Sequence, residues 1–532
     1  MYATTRTVSL LGAVGHVVDV GVDVSRGVVH TALVGRPDAS INEARERCRA
    51  AVANSGYEWP STRRITILLS PTDLPKRGPH FDLAIAVGVL ATDPALVPAG
   101  ALDGLVLIGE LSLDGRVRCV PGVLPMVMAA AARGLTRVVV PEPQVAEAAL
   151  VPGVEAYGVR SLQQVVALLA GTEMPTAPPV EPLSGEPLLP RAEADRLEDV
   201  DLCDVLGLAD ARYALEVAAA GGHHLLLTGS KGAGKTTLAE RLPTILPDLD
   251  LEQSLELTAI HSLCGRLPVD GAVLTRPPFR APHHTVSRAG ILGGGTGRVR
   301  PGEVSKAHHG VLFLDEFPLL PTDVVEALRQ PLESGEITIA RGDEDATFPA
   351  GGMVVLACNP CPCGEYSTMN RDHTCVCSEV KRRAYRRKIS GPIADRIDIT
   401  RVIEPVGRHE RYDPLAVPES SAQVLARVQI ARDRQRVRYA DSRWRLNAHA
   451  SGPALRTLWP LSPEATRLLD AQVYGGALTR RGATRVHRVA WTVTDLRGLD
   501  RPGRDELEVA LRLRAGAPML SSTIEFRKGG AR

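Results

Sequence analysis

No apolar run in these 532 residues approaches the roughly 18 needed to cross a bilayer, and the opening Met-Tyr-Ala-Thr-Thr-Arg has no apolar signal core. Neither membrane spanning nor export is therefore expected, which places the chain in the cytoplasm. An excess of either charge is also missing, since 62 Lys and Arg oppose 61 Asp and Glu for a net +1. That balance excludes a protein that coats nucleic acid over its whole surface, so any such binding must be local. Cysteine is sparse except in one place: of nine, four fall between 361 and 377. In a reducing compartment such crowding suggests a metal rather than disulfides. What is left is an ordinary soluble composition, 44% hydrophobic and 23% charged. The length exceeds a single core, so about three or four compact units are expected.

The chain is organised around residues 224 to 239, His-Leu-Leu-Leu-Thr-Gly-Ser-Lys-Gly-Ala-Gly-Lys-Thr-Thr-Leu-Ala. An apolar strand enters a glycine-rich turn and leaves into a helical pattern, the context that G-x-x-x-x-G-K-T requires. Gly229, Ser230, Lys231, Gly232, Ala233, Gly234, Lys235, Thr236 and Thr237 form the candidate phosphate loop. Its glycines let successive N–H groups point at phosphate oxygens, with the positive end of the following helix aimed the same way. Lys235 would reach the β and γ phosphates of ATP, and Thr236 would hold Mg²⁺.

Further along, Val311-Leu-Phe-Leu-Asp-Glu-Phe reads as a buried strand ending in two acids. Asp315 would bind Mg²⁺ through water, and Glu316 would polarise the water that attacks the γ phosphate. The apolar strand Met353 to Cys358 is followed by Asn359, a polar tip suited to sense that phosphate. In Ser390-Gly-Pro-Ile-Ala-Asp-Arg-Ile-Asp-Ile, Arg396 is the candidate arginine finger, supplied to the site of the next subunit. Spacing alone also allows a local pair with Asp395 or Asp398.

Cys361, Cys363, Cys375 and Cys377 form two Cys-x-Cys pairs with 11 residues between them. Four thiolates so spaced can surround one Zn²⁺, with Cys358 and His373 as substitutes, although free thiols fit too. Directly afterwards Lys381 to Lys388 carries six positive charges in eight residues, either a solvated helix face or a surface for a phosphate backbone. His283, His284, His308 and His309 allow a metal site on paper, but adjacent histidines point different ways, which favours loop packing.

On either side of this core the pattern changes. From 1 to about 170, strand-like stretches alternate with alanine-rich helical ones, with a hairpin signal at Asp114-Gly115. Residues 171–197 are rich in proline and glutamate and read as an extended linker between domains able to move relative to each other. Residues 198–405 hold the nucleotide machinery. Residues 415–515 are helical throughout, the size of a lid, and 516–532 read as a frayed tail. Arg481, near the start of a lid helix, is the first choice to contact the γ phosphate from the same subunit, and Arg485 is the second.

These motifs carry a resemblance. Lys76-Arg-Gly-Pro-His-Phe-Asp-Leu-Ala-Ile-Ala and Gly109-Glu-Leu-Ser-Leu-Asp-Gly-Arg-Val are similar to the ChlI-type domain, itself like the Lon protease domain. With Arg276-Pro-Pro-Phe, Pro301-Gly-Glu-Val-Ser, Asn359-Pro-Cys-Pro-Cys-Gly and the Arg396 motif, nearly the whole chain resembles the YifB/ComM family of magnesium-chelatase-like AAA+ ATPases. The resemblance implies an α/β protein with a ChlI/Lon-like (ribosomal S5 domain 2-like) α+β domain, a P-loop AAA+ core and a helical lid. It further implies a homo-hexameric ring that binds DNA and uses ATP for branch migration or helicase-like movement. The alternative is a magnesium-chelatase-type motor that remodels a protein partner. Lon-type peptidases need a serine and a lysine, but the matching turns here offer His80, Phe81 and Asp82, then Pro121 to Met126, so the first domain is expected to be a scaffold. Leu208, Ser230-Lys231 and Thr479-Arg480 depart from the family pattern.

Overall fold

The computed structural model describes residues 1–183, 200–265, 273–295, 299–341, 344–366, 375–389, 393–404 and 418–519. The second half of the expected linker, His373, Ser390 to Pro392 and most of the expected tail lie outside these residues.

Four strands open the chain: β1 (Tyr2–Leu11), β2 (Val14–Ser25), β3 (His30–Val34) and β4 (Arg64–Ser70). They form one sheet in the order β1-β2-β4-β3, antiparallel except for the β3-β4 pair. Val18, Val20, Val22 and Val24 of β2 turn inward at period two, and helices Ala39–Asn54 and Asp82–Leu90 cover that face. After these come β5 (Leu105–Leu107), then β6 (Glu110–Leu111) and β7 (Val117–Arg118), which pair as a hairpin around Asp114-Gly115. Strands β8 (Arg137–Pro141) and β9 (Glu155–Val159) extend β5 into a parallel three-stranded sheet. The mixed parallel and antiparallel pairing makes this an α+β domain.

The central sheet contains β10 (Leu225–Gly229) and β11 (Phe279–Arg280). A short pair, β12 (Gly293–Gly294) with β13 (Arg300–Pro301), precedes β14 (Val311–Leu314). A hairpin of β15 (Glu336–Arg341) and β16 (Glu344–Pro349) leads to β17 (Met353–Cys358), and β18 (Ile399–Ile403) completes the set. The sheet order is β11-β14-β17-β10-β18, all parallel. A parallel sheet is covered on both faces, which is why these strands are unbroken apolar runs.

The two faces feed different cores. Leu225, Leu227, Phe313, Val355 and Ile399 pack on the helix Ala209–Gly221 and on the lid. Leu226, Leu312, Leu314, Val354 and Leu356 pack on the helix Leu251–Leu263, and that core runs on into Val8, Leu10, Val123, Met126 and Val127 of the first domain. Polar contacts line the same junction. Buried Glu147 accepts Ser262 Oγ at 2.5 Å and the Leu124 N–H at 2.8 Å, and Gly122 N–H reaches Ser262 O at 3.1 Å. The linker composition predicts tethered domains moving independently. The structure instead joins them through a shared apolar core, which length and proline content do not report.

The lid consists mainly of helices Ser421–Arg438, Pro463–Tyr474, Arg480–Leu496 and Arg504–Ala515. Ser420, Ser462 and Thr479 cap the first three, each accepting a backbone N–H from the first turn. No helix among the described residues is long and apolar enough to cross a membrane.

Candidate nucleotide site

The site starts where β10 stops. Gly229 lies so close to β18 that a Cβ there would sit 2.3 Å from Ile403 O, and Gly232 and Gly234 adopt φ of 76° and 92°. Only glycine takes those angles without strain, so the loop folds back over open space. Lys235 begins the next helix and donates Nζ to Gly229 O and Ser230 O at 2.8 Å and to Asn359 Oδ1 at 3.0 Å. Burial pulls its pKa below the ordinary lysine range, an effect that nearby Asp315 opposes. Ser230 Oγ is buried without a hydrogen-bond partner among the described residues.

The first turn of that helix and the ends of two neighbouring strands, β14 and β17, supply the rest. Thr236 Oγ1 lies 3.4 Å from Asp315 Oδ2, two hard oxygen donors of the type Mg²⁺ takes. Glu316 follows in the left-handed region at φ 48°, with its N–H on Asp315 Oδ1 at 2.8 Å. A non-glycine residue there is strained, which is common where a side chain must be aimed at a site. Asn359 closes the group through Lys235. The loop residues Gly229 to Thr237 with Lys235, Asp315, Glu316 and Asn359 thus gather at one end of the sheet. Open loop glycines, a buried cation and paired oxygens fit a magnesium nucleotide.

The two remaining arginines do not join them. Arg396 sits in the turn before β18, whose Ile399 pairs with Leu225, while the phosphate loop leaves from Gly229 beside Ile403. Four residues of strand, about 13 Å at 3.3 Å each, separate the two ends before the turn is counted. Arg396 pairs with Glu333 at 2.8 Å. Arg481 lies 3.5 Å from the same Glu333 oxygen. The lid thus brings Arg481, expected at its own subunit's phosphate, to the Arg396 edge in this chain. Arg485, the second choice, is held by buried Asp398 at 2.7 Å. Glu333 was not legible beforehand, because an acid before a Ser-Gly turn has no distinguishing spacing.

The four cysteine sulfurs of Cys361, Cys363, Cys375 and Cys377 all lie within 4.8 Å of one another. Cys361 is 3.2 Å from Cys363 and 3.6 Å from Cys375, and Cys363 is 3.5 Å from Cys375. A tetrahedral Zn²⁺ with bonds of about 2.3 Å needs sulfurs roughly 3.8 Å apart, so the set fits. The Glu365 N–H, the largest influence, helps pull the Cys363 thiol down to about 6, favouring the thiolate a metal needs. Cys358 is elsewhere, with its sulfur 3.4 Å from Thr228 Oγ1. The cluster abuts the nucleotide loop: a Cβ on Gly364 would be 3.6 Å from Lys231 and 3.8 Å from Asn359. The basic helix Glu379–Ile389 follows, with Arg382 and Arg386 lying 4.6 and 5.0 Å from the Tyr366 ring centre. Its Tyr385 hydrogen-bonds the Asn359 backbone.

A second group, Glu256 with His308 and His309, also converges. It is not built for metal. His308 Nδ1 accepts the Gly351 N–H at 2.9 Å, so the neutral ring carries its proton on Nε2, the atom facing Glu256 at 3.3 Å. These are hydrogen bonds of loop packing, and His283 and His284 take no part.

A parallel sheet whose phosphate-loop strand lies between an Asn-tipped strand and the strand after an arginine turn, capped by a helical lid, defines an AAA+ P-loop protein. The magnesium chelatase, subunit ChlI model matches residues 201–411, the subunit ChlI of Mg-chelatase model 20–144, and the ChlI C-terminal model 418–514. An uncharacterised protein of Mycobacterium tuberculosis is 45% identical over 508 residues, 96% of this chain and 97% of its own. Escherichia coli YifB is 38% identical over 512 residues, 96% of each chain. The competence protein ComM of Haemophilus influenzae is 35% identical over 512 residues, 96% of this chain and 97% of its own. The chain belongs to the YifB/ComM family of magnesium-chelatase-like AAA+ ATPases.

Proposed function

We propose that this protein is an ATP-hydrolysing ring motor, a homo-hexamer, that acts on DNA in branch migration or helicase-like remodelling. The observation that carries the shared-site part is the position of Arg396 and Arg481, a full strand length from the phosphate loop of their own chain. Only an adjoining copy brings them to a γ phosphate. In the joint site, Lys235 and the loop N–H groups hold the phosphates, and Glu316 and Asn359 orient the attacking water. Arg396 of the next copy meets the negative charge that grows on the departing phosphoryl oxygens, with Arg481 beside it. Thr236 and Asp315 would hold a magnesium ion, which when bound would supply positive charge against the phosphates. Zinc on the four cysteines would brace the loop that carries Asn359.

The DNA part rests on the basic helix Glu379–Ile389, whose Arg383 pairs with Glu379 at 2.6 Å while five more cations share the same short helix. The relative ComM is a competence protein by name, which agrees with DNA as a partner. The test is the ATPase rate with single-stranded, duplex and four-way DNA, with binding followed against salt. Stimulation and a steep salt slope support the reading. A rate indifferent to all three refutes the DNA part and favours the chelatase-type motor with a protein client.

A further inference from the structure

Two lid arginines reach out of the lid and close on the segment that carries Arg396. Arg514, near the end of the helix Arg504–Ala515, donates Nη1 to the carbonyl of Ile397 and to that of Ala394 at 3.3 Å. Its other terminal nitrogen lies 3.9 Å from the Asp395 carboxylate. From the helix Arg480–Leu496, Arg485 donates to Asp398 Oδ1 at 2.7 Å, while Asp398 Oδ2 accepts the His224 N–H at 3.1 Å. Asp398 is 1% exposed and the two arginine side chains are 13% and 11% exposed, so water competes little for these bonds. Arginine has five donors in a fixed fork, and directing them at main-chain carbonyls on both sides of residue 396 sets the backbone there. The same lid is tied to the nucleotide half of its own chain, since Arg427 pairs with Glu216 at 2.6 Å and Arg432 donates to Ala219 O at 2.7 Å.

We infer that Arg514, with Arg485, is a positioning residue for Arg396: the lid of each copy sets the pose in which that copy offers its guanidinium to the adjoining nucleotide. This rests on the shared-site reading above. Movement of one lid then alters hydrolysis in the next site around the ring through the pose of Arg396, in addition to whatever Arg481 of that lid contributes there directly.

The test uses the full-length protein. Arg514→Met should lower kcat for ATP by about 10- to 100-fold, the scale of a misplacement near 1 Å. The Kd of a fluorescent ATP analogue and the assembled mass should stay within about twofold, because the pocket is intact. Mixing Arg514→Met with Glu316→Gln should restore part of the rate, since a sound pocket from one meets a well-posed Arg396 from the other. Mixing it with Arg396→Ala should restore nothing, because both damage the same contributed side. An unchanged kcat, a loss explained by weaker nucleotide binding, or rescue by Arg396→Ala would overturn the inference. If Arg514→Met does not assemble, Arg514→Lys keeps the charge but reaches one carbonyl, and should show a smaller loss with the same pattern of rescue. Arg396→Ala mixed with Glu316→Gln separates the two claims. If that pair fails to regain activity, the shared-site reading falls and the inference with it. If it succeeds where Arg514→Met with Glu316→Gln does not, only the inference falls.

Discussion

The two ends of the central sheet are built on opposite rules. At the carboxyl ends of β10, β14 and β17, polar groups converge loosely: Thr236 and Asp315 are 3.4 Å apart, and Ser230 Oγ is buried with no hydrogen-bond partner among the described residues. At the amino end of β18, Asp398 is enclosed by Arg485, His223 and the His224 N–H, and Arg514 covers the carbonyls beside it. Buried polar groups are normally paired, so an unpaired hydroxyl in an open glycine loop suits a ligand, whereas the buried Arg485–Asp398 pair makes a mount, even though His223 Nδ1, 3.6 Å from Asp398, makes no hydrogen bond among the described residues. In the proposed ring one end would receive nucleotide, and the other would present Arg396 and Arg481 to a neighbour.

The comparison breaks most visibly if either end can be lost without consequence. Glu316→Gln and Arg396→Ala should each lower ATP turnover by about 10³-fold or more, with nucleotide still bound; a normal rate in either removes its assignment. Asn359→Ala should lower kcat by roughly 100-fold, the usual scale for one donor aimed at developing charge, and full activity would leave Asn359 a mere ligand of Lys235. Cys363→Ser should abolish the metal found by elemental analysis of purified protein and weaken DNA stimulation. Finding every cysteine free in the wild type ends the zinc assignment.

Smaller effects sharpen the contrast. Glu333 holds both arginines while itself 46% exposed, so Glu333→Gln releases a pair worth at most about 1 kcal/mol. Turnover at low protein concentration should rise by up to about fivefold, since the arginines no longer leave a carboxylate to reach the neighbour. A fall instead would make Glu333 an aligning group. The smallest effect concerns pH. Burial depresses His224 and His487 to about 4 from an ordinary 6.5. They are neutral when folded but protonated when unfolded below about 6.5, so their contribution is full above that pH and is lost as pH falls towards 4. Thermal midpoints should decline from pH 7 to 5, and His487→Gln should flatten that decline.

How much of this could be read from the chain depended on where the information lies. The phosphate loop, the acid-tipped strand and Asn359 are local patterns, and β10, β14 and β17 are unbroken apolar runs, so position in sequence nearly determines position in space. The first strand, Tyr2–Leu11, escaped notice because the side chains it buries include Thr5, Thr7 and Ser9; Thr5 is satisfied by Ala84 O at 2.8 Å. Its polarity hides an inward face. The place of Arg481 was not legible because a lid helix can pack over either end of the sheet, and the burial of Arg485 against Asp398 holds this one beside the Arg396 turn. Glu333, Arg514 and the fusion of the first domain to the core depend on contacts between distant segments, which periodicity cannot encode.

The most direct test of the divided site is to mix inactive Glu316→Gln with inactive Arg396→Ala and measure ATP hydrolysis. Mixed rings contain junctions where a sound pocket faces a sound Arg396, so the account predicts that activity returns. Activity that stays absent in mixtures proven to co-assemble, or a wild-type chain that hydrolyses ATP at full rate when diluted to a monomer, would contradict it.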